Sequence, residues 1–313
     1  MSEVNLVSMS GGKDSTALAL LALERKTKNV QFVFADTGHE HAQTYKYIEY
    51  LESVIGPIQK VKADFSKQIA RKREVVQTKW RREGVSESII EDALSVLHPT
   101  GNPFLDLALW KGRFPSTRAR FCSMELKHNA IDQIVHPLLD EYDDVYSWQG
   151  VRADESLNRA NLPELEEVAD RIGLINYRPI LSWTADDVFA QHRKHGVKPN
   201  PLYSQGMGRV GCMPCIHCRK SELQEIAKRF PEEIERVQEW ERLVSKASKR
   251  QSATFMAIAT DPTANNADDI SPETHGIIRM VEWSKTARGG RQFDMLATLN
   301  DGKECSSIYG LCE

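Results

Sequence analysis

The first half of the chain alternates short apolar runs with longer stretches of helical period. Val4–Met9 is an apolar run that leads into a glycine pair. Asp14 to about Lys26 follows as a helix, with Ala17, Leu18, Leu20, Leu21 and Leu23 on a buried face. Gln31–Ala35 predicts a second strand and His41 to about Ile55 a second helix. Ile58–Lys62 predicts a third strand and Val145–Val151 a fourth. Strands alternating with helices predict an α/β fold, a doubly wound and mostly parallel sheet with helices on both faces. Such a sheet holds its ligands beyond the carboxyl ends of its strands.

The rest of the pattern is more helical. A helical insertion is expected over about residues 66–139, broken by Pro99-Thr-Gly-Asn-Pro103. From Asp154 to Asp170 there are six acids and one arginine, which predicts an acidic loop. Thr184–His195 predicts a helix with Thr184 as N-cap and Asp186-Asp187 in its first turn. Further helices are expected at about Lys220–Arg229, Pro231–Lys249 and Pro272–Lys285, with loops over residues 252–270 and Ala287–Arg291. There is no internal repeat. Two units follow: 1–218, an α/β unit with the helical insertion, and 219–313, a helical C-terminal region with a cysteine-containing tail.

Composition narrows the class. With 313 residues, 41% hydrophobic and 27% charged, the chain has the apolar content of a folded protein and not of a disordered one. A net charge of −3 sets up no global field toward nucleic acid or membrane. No run of 18 apolar residues predicts a membrane span. The start, MSEVNLVSMSGGKDS, lacks the pattern of a leader, so a cytoplasmic location is expected. Cysteines there are usually reduced, metal-bound or catalytic. One local exception to the charge balance is Lys60–Arg82, with nine basic and two acidic residues. Arg71, Lys72, Arg73, Lys79, Arg81 and Arg82 suit either a nucleic-acid backbone or a solvated helix face.

The first motif is Ser10-Gly11-Gly12-Lys13-Asp14-Ser15-Thr16, set between a strand and a helix. The glycines permit close backbone approach, and the first amides of the helix point at the loop. The helix dipole, three hydroxyls and the Lys13 cation complete an oxyanion site. The G-x4-G-K-[ST] spacing of a Walker loop is absent. The loop resembles the pyrophosphatase (PP) loop of the N-type ATP pyrophosphatases, a superfamily that binds adenine nucleotides. In many members the aspartate, here Asp14, helps with Mg2+.

Four further stretches resemble the phosphoadenylyl-sulfate (PAPS) reductase family, in that family's order over about residues 5–218. They are Phe34-Ala-Asp36-Thr37-Gly38 with Glu40 and Thr44-Tyr45; Phe121-Cys122 with Leu126-Lys127; Trp148-Gln-Gly150-Val-Arg152 with Glu155-Ser156 and Arg159-Ala160; and Arg178-Pro-Ile, Trp183-Thr-Ala-Asp-Asp-Val, Asn200-Pro-Leu-Tyr203 and Gly211-Cys212-x-x-Cys215. The resemblance implies an adenine nucleotide alpha hydrolase-like fold. It also implies a nucleotide site at Ser10–Thr16, Asp36, Thr37, Gly38, Gly150, Arg152 and Arg159. Arginines suit phosphate or sulfate because the planar guanidinium binds oxyanions bidentately. Arg159 alternatively pairs with the neighbouring acids, and Thr44-Tyr45 alternatively packs as ordinary helix.

Cys212, Cys215 and Cys218 form a C-x2-C-x2-C run, and Cys122 stands alone. Four thiolates suit tetrahedral zinc or a [4Fe–4S] cluster, and the 3 + 1 spacing is more like a cluster. Free thiols are the bland alternative, and His217 is a neighbour of such ligands or a surface residue. Cluster-bearing reductases of the family use a mid-chain Cys-Cys pair and a later C-x2-C. Here position 123 is Ser and Cys218 is extra, a pattern more like phage-encoded and DNA-phosphorothioation relatives.

Family reductases end in Glu-Cys-Gly-Leu-His, whose cysteine attacks sulfur. Here Glu304-Cys305 resembles its start and Gly310-Leu311 its end, and the histidine is absent. Cys305 and Cys312 are the expected catalytic thiols; the alternative is two incidental cysteines on a tail. The implied function is adenine-nucleotide-dependent sulfur chemistry, most like reduction of PAPS or APS to sulfite with a thioredoxin-type reductant. The alternatives are an ATP-dependent sulfurtransferase acting on DNA or tRNA, and a non-catalytic nucleic-acid-binding module.

Overall fold

In the computed structural model, residues 2–256, 269–287, 292–293 and 307–311 are described. Strand β1 (Glu3–Met9) runs into helix α1 (Lys13–Glu24), then β2 (Val30–Asp36), α2 (Ala42–Ile55) and β3 (Ile58–Lys62). The insertion follows as α3 (Ser66–Val75), extended by a π-helical turn to Trp80, then α4 (Glu87–Val96), α5 (Pro103–Lys111), α6 (Phe121–Ser123) and, after a second π turn, α7 (Asn129–Glu141). Next come β4 (Asp144–Trp148), α8 (Leu157–Ala160), β5 (Leu165–Glu167), β6 (Leu174–Tyr177) and α9 (Ala185–Lys194). The C-terminal part holds α10 (Lys220–Arg229), α11 (Pro231–Lys246), α12 (Pro272–His275), α13 (Ile277–Ser284) and a small ribbon of β7 (Thr286–Ala287) and β8 (Gln292–Phe293).

The main sheet has the order β3-β2-β1-β4-β6-β5, parallel except for β5 against β6. β1 therefore sits between β2 and β4, where successive crossovers leave in opposite directions. That is the switch point at which a crevice opens beyond the strand ends. Asn5 ties this centre internally: its side chain accepts from Trp148 Nε1 at 2.8 Å and donates to the Lys28 carbonyl at 3.0 Å.

The helices divide as the strand pattern predicts. α1 and α2 cover one face with Leu18, Leu20, Ile48 and Leu51, and α7 covers the other with Ile134, Val135 and Leu138. Nine of the twelve α1 residues are buried, because α9 closes over the side that the sheet leaves open. A third apolar cluster joins the insertion to the C-terminal helices, with Phe104, Leu107, Val237 and Trp240 at its centre.

Local chemistry sets the ends. Asn102 caps α5, its side chain accepting from Leu105 N at 3.0 Å, with Pro103 in the first turn and Gly112 left-handed at the end. Thr184 caps α9 in a reciprocal capping box with Asp187.

Three expectations are corrected. The acidic stretch is not all loop: it contains β5, paired to the unforeseen β6. β5 has three residues and two carboxylates, so it carries no apolar alternation to read. The expected helix over Pro272–Lys285 is two, divided at Gly276, whose backbone is extended. The fourth strand stops at Trp148, not Val151. The loop expected at 252–270 and the basic loop at 287–291 lie largely outside the described residues.

Candidate functional site

The phosphate-type loop is built as its sequence predicts and is held more firmly than expected. Gly11 has φ +70, and a Cβ there would stand 2.7 Å from Thr44 Cγ2. Ser15 and Thr16 hydroxyls donate to the Gly12 carbonyl at 3.1 and 3.0 Å, and Ser10 N donates to Ser15 Oγ at 3.1 Å. Three side chains from one distant segment clamp the loop backbone. Asn200 Nδ2 donates to the Gly11 carbonyl at 3.0 Å. Tyr203 OH accepts from the Lys13 amide at 2.9 Å. His192 Nε2 donates to the Lys13 carbonyl at 2.9 Å. Burial pushes the His192 pKa down, so the ring is neutral at neutral pH.

The charged groups converge here. Asp14 takes Lys13 Nζ on one oxygen at 2.7 Å and Arg152 Nε on the other at 2.6 Å. Arg152 is buried and also binds Asp154 at 2.6 Å. Gly150 lets this strand end close on the loop, since a Cβ there would sit 3.3 Å from Asp14 C and Ser15 N. Arg159 pairs with Glu155, the expected alternative. Burial, then Arg209 and Arg152, push its pKa down, which places it among other cations.

The end of β2 forms the second wall. Asp36 accepts from Tyr45 OH at 2.8 Å, Gly38 N at 2.9 Å and Lys62 Nζ at 2.8 Å. Tyr45 is thus a tether at this strand end and not plain helix packing, while Thr44 is fully buried against Gly11. Thr37 Oγ1 donates to Glu40 Oε1 at 2.7 Å and lies 3.5 Å from Cys212 Sγ.

That contact joins the end of β2 to the cysteine loop. Glu40 and Cys212 form an antiparallel bridge, and Met213 N donates to the His39 carbonyl at 2.8 Å. Arg236 donates to His39 Nδ1 at 3.1 Å, so Nε2 carries the proton that goes to the Pro214 carbonyl at 2.9 Å. Burial first, then Arg236, hold this histidine neutral.

Cys122, Cys212, Cys215 and Cys218 are all free thiols. Burial is the main cause that raises the pKa of Cys212 to about 12, with Glu40 adding, and it pushes Cys122 and Cys218 upward too. Cys215 acts electrostatically on each of the other three, so the four share one region. Cys212 first, then Glu40, push the Lys127 pKa up against the opposing effect of burial. Four cysteines in one region have the donor chemistry of a thiolate-held centre. Among the described residues, no group of three or more His, Cys, Asp or Glu side chains is arranged so that it could hold a metal ion. Cys305 and Cys312 lie outside the described residues.

The basic helix is largely spent on the fold. Arg73 donates to the Leu94 and Leu97 carbonyls, Arg81 pairs with Glu87, Lys79 with Glu83, and Lys72 lies over Trp80. The residues that sequence reasoning left out of the site are His39 and His192, which stand beside recognised motifs but carry no spacing signal. Asn200 and Tyr203 were in a recognised stretch without an assigned role.

Comparisons with known proteins follow this geometry. The family model described as phosphoadenosine phosphosulfate reductase domain matches residues 4–218. An uncharacterized 37.8 kDa protein of Escherichia phage 186, from the gpa 5′ region, is 54% identical over 326 aligned positions, covering all of this chain and 97% of that protein. An uncharacterized protein of Methanocaldococcus jannaschii is 25% identical over 79% of this chain and 42% of its own length. An adenosine 5′-phosphosulfate reductase of Burkholderia cepacia is 39% identical over 26% of this chain and 32% of that enzyme. The chain thus spans under half the length of the last two relatives. Among solved structures, a PAPS reductase from Candida auris in a phosphate complex aligns with TM-score 0.40 and 18% identity over 66% of this chain and 80% of that chain. A Candida glabrata FMN adenylyltransferase in complex with ATP aligns with TM-score 0.40 and 14% identity over 67% of this chain and 52% of that chain. Among the described residues, no helix is long and apolar enough to cross a membrane.

Proposed function

We propose a function from this premise: the chain belongs to the phosphoadenosine phosphosulfate reductase domain family, whose model spans residues 4–218. It is an adenine-nucleotide-dependent enzyme of sulfur metabolism, and its reaction is the thiol-dependent reduction of a sulfonucleotide, PAPS or APS, to sulfite. The observation that carries this reading is the 3.5 Å contact of Thr37 Oγ1 with Cys212. It gives the nucleotide wall at the end of β2 and the cysteine loop a common boundary.

In this reading residues 1–218 form the nucleotide-binding unit and residues 219–313 a helical cover with the cysteine tail. The loop Ser10–Thr16 cradles the phosphate with its backbone and hydroxyls. Lys13 and Arg152 supply positive charge, and Asp14 keeps both in place. Both Asp14 oxygens are engaged by cations, which favours anion binding by the loop itself over a Mg2+-ligand role. Asp36, Thr37 and Gly38 set the adenosine end. The Cys305 thiolate attacks the sulfate sulfur, the S–O bond to the phosphate breaks, and the nucleotide leaves with that electron pair. A thioredoxin-type dithiol then attacks the Cys305 sulfur, releases sulfite and ends as its disulfide. Cys312 is the second tail thiol.

Cys122, Cys212, Cys215 and Cys218 would hold a [4Fe–4S] cluster, which would tie the cysteine loop to the segment that carries Cys122. A zinc ion needs its sulfurs about 2.3 Å from one centre. The 3 + 1 spacing of the four cysteines along the sequence supports a cube over zinc.

The experiment is an anaerobic comparison of ATP, APS and PAPS with reduced thioredoxin. Sulfite release from APS or PAPS is the expected result. ATP cleavage with sulfur transfer to DNA or tRNA, and no sulfite, overturns it in favour of the transferase. Salt-dependent nucleic-acid binding without turnover makes the chain a binding module.

A further inference from the structure

Lys13 supplies the mobile cation of the loop, yet its side chain is only 4% exposed. Asp14 accounts for part of that cover. Two aromatic rings, one of them from the far end of the chain, stand against the same ammonium. The Tyr309 ring centroid lies 5.3 Å from Lys13 Nζ, and Tyr203 faces the same ammonium at 5.9 Å.

Tyr309 is seated by contacts of its own. Its hydroxyl donates to the Gly208 carbonyl at 2.6 Å. Its ring packs on Phe189 at 5.3 Å and on Tyr203 at 5.7 Å. A Cβ at Gly208 would stand 3.0 Å from Ile308 Cδ1, so residue 208 leaves room for the tail. An ammonium set against two aromatic faces is held by their quadrupoles and is desolvated. An incoming phosphate needs the same ammonium and much of the same space. Its full charges make a stronger partner than a ring face.

We infer that Tyr309 is a residue of the nucleotide site: it covers Lys13 in the unliganded chain, and the phosphates of an adenine nucleotide displace it. The ligand named here rests on the nucleotide reading above, whereas the cover over Lys13 does not. A site that is closed part of the time binds with apparent affinity reduced by its open fraction. Loosening the cover therefore tightens nucleotide binding.

Two measurements on the full-length chain test this. The first is amine-directed labelling of Lys13, read by mass spectrometry without any ligand. Tyr309→Ala should raise its rate several-fold, and Tyr309→Phe, which keeps the ring and loses the Gly208 bond, should fall between. Equal labelling in all three chains overturns the inference whatever Lys13 binds. The second is calorimetric titration with ADP, with Lys13→Ala as control. Binding at least threefold tighter in Tyr309→Ala than in wild type supports displacement. Unchanged or weaker binding, in a protein whose Lys13→Ala form has lost affinity, overturns displacement alone. No ADP binding by any of the proteins overturns displacement together with the nucleotide reading, while the labelling result still decides the cover.

Discussion

Asp14 Oδ1 and Arg152 Nε meet at 2.6 Å, across the gap between the loop that follows β1 and the loop that follows β4. The pair closes the switch-point crevice from beneath, and Lys13 takes the other Asp14 oxygen. One carboxylate therefore sets the positions of two cations that would face a phosphate.

That arrangement makes Lys13→Ala and Asp14→Ala costly for binding. Each should weaken ADP at least tenfold, about 1.4 kcal/mol or more. Titration calorimetry checks the affinity, and circular dichroism checks that the sheet is intact. Affinity unchanged in both variants would reduce the loop to a turn.

Gly11→Ala tests the backbone. Its φ of +70 and a Cβ 2.7 Å from Thr44 Cγ2 leave no room for a side chain. Strain of this kind costs on the order of 1–3 kcal/mol. Thermal unfolding should shift down and nucleotide binding should fall with it. Thr44→Ser in the same chain removes the clashing methyl and should recover part of the loss; no recovery argues against this clash as the cause.

A pH effect follows from Glu241, which is 1% exposed and accepts from Phe255 N at 2.7 Å and Ile277 N at 3.0 Å. Burial raises its pKa from 4.5 to about 7. The folded state therefore holds this proton more tightly than the unfolded state. Its stabilising contribution is complete below pH 4.5 and is lost as pH rises to 7, about 3 kcal/mol in all. Glu241→Gln carries no such titration. Urea unfolding of both proteins from pH 4.5 to 8 should show the wild type losing stability relative to the variant. Parallel curves would mean that the carboxyl is not buried as described.

Metal content separates the cysteines into two groups. Anaerobically purified protein should be brown, with close to four irons per chain, and Cys→Ser at Cys122, Cys212, Cys215 or Cys218 should bleach it. Changes at Cys305 or Cys312 should leave the colour and abolish sulfite release. One tightly held zinc in a colourless protein replaces the cluster while keeping the four ligands. A Cys218→Ser protein with a full cluster would remove that residue from the set.

The parts of the molecule that could be read in advance are those where local pattern and tertiary role coincide. Ile58–Lys62 is legible to the residue because Ile58 and Val61 stand in a short run between the Gly56-Pro57 break that ends a helix and a polar turn. The Ser10–Thr16 loop was placed because glycines, hydroxyls and a strand-to-helix junction all mark it. β5 is not legible because a three-residue edge strand with two carboxylates is defined by its partner and not by its own residues, and β6, Leu174–Tyr177, is too short to show a period of its own. Gly276 reads as an interior helix residue, yet its backbone is extended, and a Cβ there would meet the Pro272 carbonyl at 2.3 Å and Glu241 Oε2 at 2.6 Å. His39 and His192 act through single backbone carbonyls. One hydrogen bond across more than a hundred residues leaves no periodic trace in a sequence.

The clamp on the phosphate loop also has a temporal side. His192, Asn200 and Tyr203 lie 179, 189 and 190 residues beyond the backbone groups they hold. During synthesis the loop leaves the ribosome long before its clamp exists, and at about 5–20 residues per second the delay is on the order of ten seconds or more. β1, β2 and β3 can pair in that interval, because their contacts are local by comparison. The loop therefore gains its clamp only after residue 203 is made, and a chain interrupted before residue 200 would carry the motif without its geometry.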